Sequence, residues 1–179
     1  MIQVLQRPTP NFRAHSVPRD VRAAVIHIAE GRAAGVDSWF ASRESQVSAH
    51  FLVGLNGTLR QYVSIHDVAW HAGRVLGATW RALPTGNPND TTVGIEHEGN
   101  GLAEWPEPML LTSTMLAAWL CTRFGWEPTE LRFPMHREIF AAKTCPGPAF
   151  NRTAYLARVR AILATFTADE IRCMVEGIR

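Results

Sequence analysis

Lysine is almost missing from this chain: of 18 basic residues among 179, only Lys143 is a lysine. A chain that supplies its cations as arginine keeps an ammonium where a compact point charge does what a planar guanidinium does not. An ordinary loop lysine is the plain alternative. Cysteine is scarce as well. Cys121, Cys145 and Cys173 are too few, and odd in number, for a disulfide framework. Long apolar runs are absent, so no membrane span is expected. Residues 1–20 are broken by Pro8 and Pro10 and hold no apolar core of signal-peptide length. The chain is therefore expected to be made in the cytoplasm. Charge excess is missing too. A net +2 is too mild to imply nucleic acid and suits an anionic partner of another kind. That excess lies in residues 151–179, where five arginines face Asp169, Glu170 and Glu176. A solvated helix face accounts for it.

The apolar fraction of 46% in 179 residues supports one domain with a full core. Residues 1–20 read as an irregular lead-in. Val21–Ala29 reads as a strand with Val25, His27 and Ala29 on one face and Ala24, Ile26 and Ile28 on the other. Asp37 is placed as the cap of a short helix through Trp39 and Phe40. Asn56-Gly57 between two apolar runs predicts a hairpin, 49–55 with 58–63, closed by a type I′ turn. Residues 64–90 are turn-rich, a loop wall for a groove. Thr91–Glu96 is a further strand. Thr112 or Ser113 opens a helix that stops at Gly125. Asn151 caps another over 152–165, and Thr167 with Glu170 forms a capping box before a third. Strands mixed with helices make an α/β domain with one mixed sheet and helices packed on it.

The chemistry-bearing residues fall on these elements. His27 sits on a strand whose other face is apolar. His136 follows a short segment, 130–135, and Cys145 lies in a loop. Two imidazoles and one thiolate are zinc-type ligands, and three protein ligands leave a fourth position open. A hydrogen-bonded core histidine is the competing reading for each ring alone. Pro146 biases Cys145 toward extended backbone, which puts Lys143 and Cys145 on one side. An ammonium there stabilises an oxyanion. Glu96 shares its strand face with Thr92 and Gly94 and is the general-base candidate. A solvated strand-end carboxylate is its alternative.

Taken together, VIHIAEG (25–31), SAHFLVGLNGTLRQYV (48–63), AWHAG (69–73), TVGIEHEG (92–99), MHREI (135–139) and KTCPGPAF (143–150) resemble the zinc-dependent N-acetylmuramoyl-L-alanine amidases. That family includes phage lysozyme-type amidases, wall-recycling amidases and peptidoglycan-recognition proteins. The resemblance implies the fold of that family, with Zn2+ at His27, His136 and Cys145 and catalytic roles for Glu96 and Lys143. It implies bacterial peptidoglycan as partner and hydrolysis of the bond between N-acetylmuramic acid and L-alanine. His50, Trp70 and His71 are expected along the substrate groove; a buried, backbone-bonded His50 is weighed equally. Where some phage members carry a catalytic tyrosine, this chain has Ala49. Where recycling members typically carry an aspartate ligand, it has Cys145.

The leading expectation is a lytic enzyme of phage type, acting on the wall after release. A cytosolic amidase of recycled muropeptides is the second. A non-catalytic peptidoglycan-binding module is the third, and Cys145 argues against it. Residues 1–165 are expected to form the catalytic domain and 166–179 a helical tail, which docks, self-associates or leads to a further module. Oligomeric state is left open.

Overall fold

Seven strands and four α-helices make up the computed structural model, which describes residues 1–179. In chain order they are β1 (Val4–Gln6), β2 (Phe12–Arg13), β3 (Ala23–Ile26), α1 (Ala33–Ala41), β4 (Phe51–Val53), β5 (Leu59–Gln61), β6 (Val68–Ala69), β7 (Thr92–His97), α2 (Glu107–Phe124), α3 (Arg152–Thr165) and α4 (Ala168–Met174). A five-stranded sheet runs β1-β5-β4-β7-β3, and β2 with β6 forms a separate ribbon. Only the β4–β5 hairpin is antiparallel within the large sheet. The expected mixed sheet is present. The lead-in is more ordered than expected, because β1 adds a parallel edge to β5.

Helices α2, α3 and α4 cover one face of the sheet. Ile26, Phe51, Val93, Ile95, Leu116, Leu120, Phe133 and Ile171 are fully buried there in one cluster. Burying each such side chain contributes about 1.5–3 kcal/mol before entropy is counted. Ile171 of α4 and Val175 just after it belong to that same cluster. The opposite face carries α1 over Leu52 and Tyr62, and loops over Ala23 and Val25. The parallel strands β3 and β7 end side by side on this second face. In sheets of this kind, ligands bind beyond the carboxyl ends of the strands.

Local signals set several boundaries as expected. Gly125 takes φ +68° after α2, Asn151 Oδ1 accepts from Ala154 N–H, and the Thr167–Glu170 capping box forms. Three expectations are corrected. The β4–β5 loop is not a two-residue type I′ turn. Val53 pairs with Leu59, and only Gly57 (φ +82°) takes positive φ, while Asn56 Oδ1 accepts from Thr58 N–H. Helix α2 begins at Glu107, after Pro106, because Pro108 needs no N–H donor in a first turn. Thr112 and Ser113 are buried inside it. Asp37 lies inside α1 and accepts from Tyr62 Oη at 2.6 Å. The amide at the start of α1, Ala33 N–H, is instead taken by Glu98 Oε1.

Candidate metal centre and groove

The site is built where β3 and β7 stop. Beyond Ile26 the β3 backbone stays paired, His27 N–H donating to Ile95 O at 2.9 Å. On its other edge Ile26 N–H donates to Pro134 O, which delivers His136 beside His27. Cys145 closes the triangle from the loop after His136. Its Sγ accepts from Ile28 N–H at 3.1 Å.

One ring nitrogen each of His27 and His136 and the Sγ of Cys145 lie within 4.8 Å of one another. The two Nδ1 atoms are 3.1 Å apart. Two nitrogens bound about 2.0–2.1 Å from a tetrahedral zinc would stand about 3.4 Å apart, so the spacing fits. Burial lowers His27 well below the usual imidazole range, with His136 the next cause. Burial takes His136 down to about 4, with Lys143 adding to it. Both rings are therefore neutral ligands near pH 7. Burial, then Glu96, pushes the Cys145 thiol up to about 12 without a metal. A bound dication reverses that and deprotonates a coordinating thiol.

Glu96 stands over this triangle with Oε1 at 3.9 Å from His27 Nδ1. Its Oε2 is buried without any hydrogen-bond partner. Burial, then Glu30, raises its pKa to about 8, against the pull of Lys143. A buried, unpartnered carboxyl next to two imidazoles and a thiol marks a candidate reactive group beside a metal-type donor set. The donor set and the orphaned oxygen both fit zinc.

A groove of about 360 Å³ opens over the cluster and is lined by His27, Glu96, His136, Lys143 and Cys145, together with Trp70 and His71. The expected metal ligands and both catalytic candidates thus line one groove. Trp39 and Val47 line it too, and Trp39 is 58% exposed. Sequence reasoning passed over Trp39 as a helix residue. Its wide exposure on α1 becomes visible only once Val36 and Phe40 are seen to face inward.

His50 is corrected. Its ring is fully buried and does not line the groove. Its Nδ1 accepts from Gly94 N–H at 3.0 Å, so Nε2 carries the proton and donates to Asp67 O at 3.1 Å. Arg19 closes the space behind it, donating to Asn89 O, Thr92 O and Ile65 O. His71 does line the groove, yet both of its nitrogens have protein partners.

The profile of a family described as N-acetylmuramoyl-L-alanine amidase matches residues 17–148. N-acetylmuramoyl-L-alanine amidase A of Achromobacter lyticus is 30% identical over 126 residues, 69% of this chain and 64% of the relative. The chain thus spans just under two thirds of that relative's length. The 1,6-anhydro-N-acetylmuramyl-L-alanine amidase AmpD of Haemophilus influenzae is 29% identical over 174 residues, 87% of this chain and 91% of the relative. Among solved structures, the E. coli amidase AmiD in complex with anhydro-N-acetylmuramic acid-L-Ala-D-gamma-Glu-L-Lys superposes with a TM-score of 0.67 at 27% identity, covering 83% of this chain and 60% of that one.

Proposed function

We propose, from the premise that this chain belongs to the N-acetylmuramoyl-L-alanine amidase family, that it hydrolyses the amide joining the lactyl group of N-acetylmuramic acid to L-alanine in peptidoglycan. The observation that carries the reading is the unpartnered Glu96 carboxyl over two imidazoles and a thiol at the groove floor. Zinc held by His27, His136 and Cys145 would supply Lewis-acid polarisation of the scissile carbonyl and acidify water. Glu96 takes a proton from the attacking water as the new C–O bond forms. As the C–N bond breaks, the same carboxyl returns that proton to the departing alanine nitrogen. Lys143 brings a positive charge to the groove that favours the oxyanion. Trp70, half-buried on the wall, offers a ring face to a sugar.

Soluble anhydro-muropeptide is the preferred substrate form in this reading. It is supported by the relative aligned along most of both chains, described as a 1,6-anhydro-N-acetylmuramyl-L-alanine amidase. Action in the cytoplasm goes with it. One observation favours the second reading, a phage-type lytic enzyme on the intact wall: the third ligand is Cys145, where recycling members typically have aspartate. Incubation with intact sacculi and with soluble anhydro-muropeptides, followed by mass analysis, tests both. Free stem peptides starting at L-alanine are expected from the soluble substrate. Release from sacculi alone selects the lytic reading. Release from neither, with zinc bound, overturns the amidase reading.

A further inference from the structure

We propose that His71 is a positioning residue that holds the His27 ring for metal binding, through a one-way hydrogen-bond chain ending on the Pro88 carbonyl. This rests on the zinc reading above. His27 turns Nδ1 toward His136 and Nε2 toward His71 Nδ1, at 3.0 Å. On the far side, His71 Nε2 meets Thr92 Oγ1 at 3.2 Å, and Thr92 Oγ1 donates to Pro88 O at 2.8 Å. Pro88 O can only accept, and that fixes every proton behind it. The Thr92 hydroxyl spends its proton on Pro88, so it accepts from His71 Nε2–H. His71 Nδ1 is then bare and accepts from His27 Nε2–H. The Nδ1 of His27 is left with a free lone pair facing His136, the form a metal ligand needs.

Space for the ring is set by Gly94. A Cβ there would lie 2.5 Å from His71 Cγ and 2.8 Å from Nδ1 and Cδ2. Thr92, Gly94 and Glu96 are alternate residues of β7 on one face, so one strand receives the chain, admits the ring and carries the general base. A substrate-binding histidine would keep a nitrogen for its ligand, and His71 keeps none.

The test measures zinc affinity by chelator competition, alongside the melting temperature of the metal-free protein. His71→Ala is expected to bind zinc about 10–100-fold more weakly. His71→Asn puts an amide oxygen near the Nδ1 position and is expected to recover most of that loss. Thr92→Val leaves the ring in place but removes its acceptor, and is expected to weaken zinc about 10-fold. A space-filling role would lower the metal-free melting temperature of the Ala and Asn variants alike and leave affinity at the parent value. That result overturns the proposal. If His71→Ala does not fold, parent-like affinity in Thr92→Val overturns it. A parent protein that binds no zinc overturns the metal reading instead.

Discussion

Glu96 and His97 are neighbours on β7, and they face opposite worlds. His97 points into the main core. Its Nδ1 donates to His27 O at 2.8 Å, its Nε2 accepts from Ser113 Oγ at 2.7 Å, and Tyr155 Oη closes the network on Ser113 O. Trp105 stacks on the ring at 3.9 Å between centroids. Both ring nitrogens of His97 have partners, although Trp105 Nε1 on the stacked ring has none. Glu96, one residue earlier, is enclosed nearly as well, and its Oε2 has none. Burial alone therefore does not distinguish a structural polar group from a reactive one. Between these two side chains the difference is hydrogen bonding, and Glu96 differs from the other unpartnered atoms, Arg60 Nε, Thr91 Oγ1 and Trp105 Nε1, in lining the groove beside two imidazoles and a thiol. The two faces are also coupled, since the His97 ring anchors the backbone of His27.

The sharpest way to break the comparison is Glu96→Ala. Turnover is expected to fall about 10²–10⁴-fold with zinc still bound, the range for a lost general acid–base. Stability is expected to hold or rise, within about 1 kcal/mol, because an unpartnered buried carboxyl has been removed. Steady-state kinetics, zinc content and urea unfolding read the three quantities. Full turnover would remove Glu96 from its role. His97→Ala should do the reverse. It leaves a cavity under Trp105 and strips Ser113 Oγ and His27 O of their partner, a loss of about 3 kcal/mol by urea unfolding. A change below about 1 kcal/mol would mean that the core network is dispensable.

Acidity separates the same two residues in the metal-free protein. Burial lowers His97 from 6.5 to about 3. Its folded form is neutral, so its contribution is fully present above pH 6.5 and is lost as pH falls from 6.5 toward 3. Buried His50, also driven well below its ordinary value, adds to that acid loss. Glu96 is raised from 4.5 to about 8, so its sign is opposite. Its contribution is fully present below pH 4.5 and is lost as pH climbs from 4.5 toward 8. Urea midpoints measured with a chelator present should fall at both ends, and Glu96→Gln should flatten only the alkaline arm. An alkaline arm that survives in Glu96→Gln belongs to another group.

How much of this was legible in the sequence follows the range of the interactions. The alternation of β7 is local, and reading Thr92, Gly94 and Glu96 on one face was enough to aim Glu96. Asn151, Thr167 and Gly125 act within one turn of their helices, and each stands where it was expected. The misses came from distant partners. The start of α1 is fixed by Glu98, and His50 is sealed by Arg19, whose guanidinium reaches its ring from the lead-in. Nothing between residues 48 and 54 foretells that arginine. His71 lines the groove as expected, but the partner of its second nitrogen, Thr92, lies on β7 and could not be read from the residues around 71.

Lys143 sets the outer limit of the comparison. It is exposed, unlike Glu96, yet it lines the same groove and lowers His136. A charge that acts only through its field would tolerate a guanidinium. A charge that donates to one oxygen would not, since Arg is longer and its donors are fixed in a plane. Lys143→Arg keeps the charge and changes the shape. Turnover is expected to fall about 10-fold with little change in KM, because the contact matters to the oxyanion and not to the bound amide. Parent turnover in that variant would place Lys143 with the surface arginines and leave Glu96 as the one reactive group the protein itself adds to its ligands.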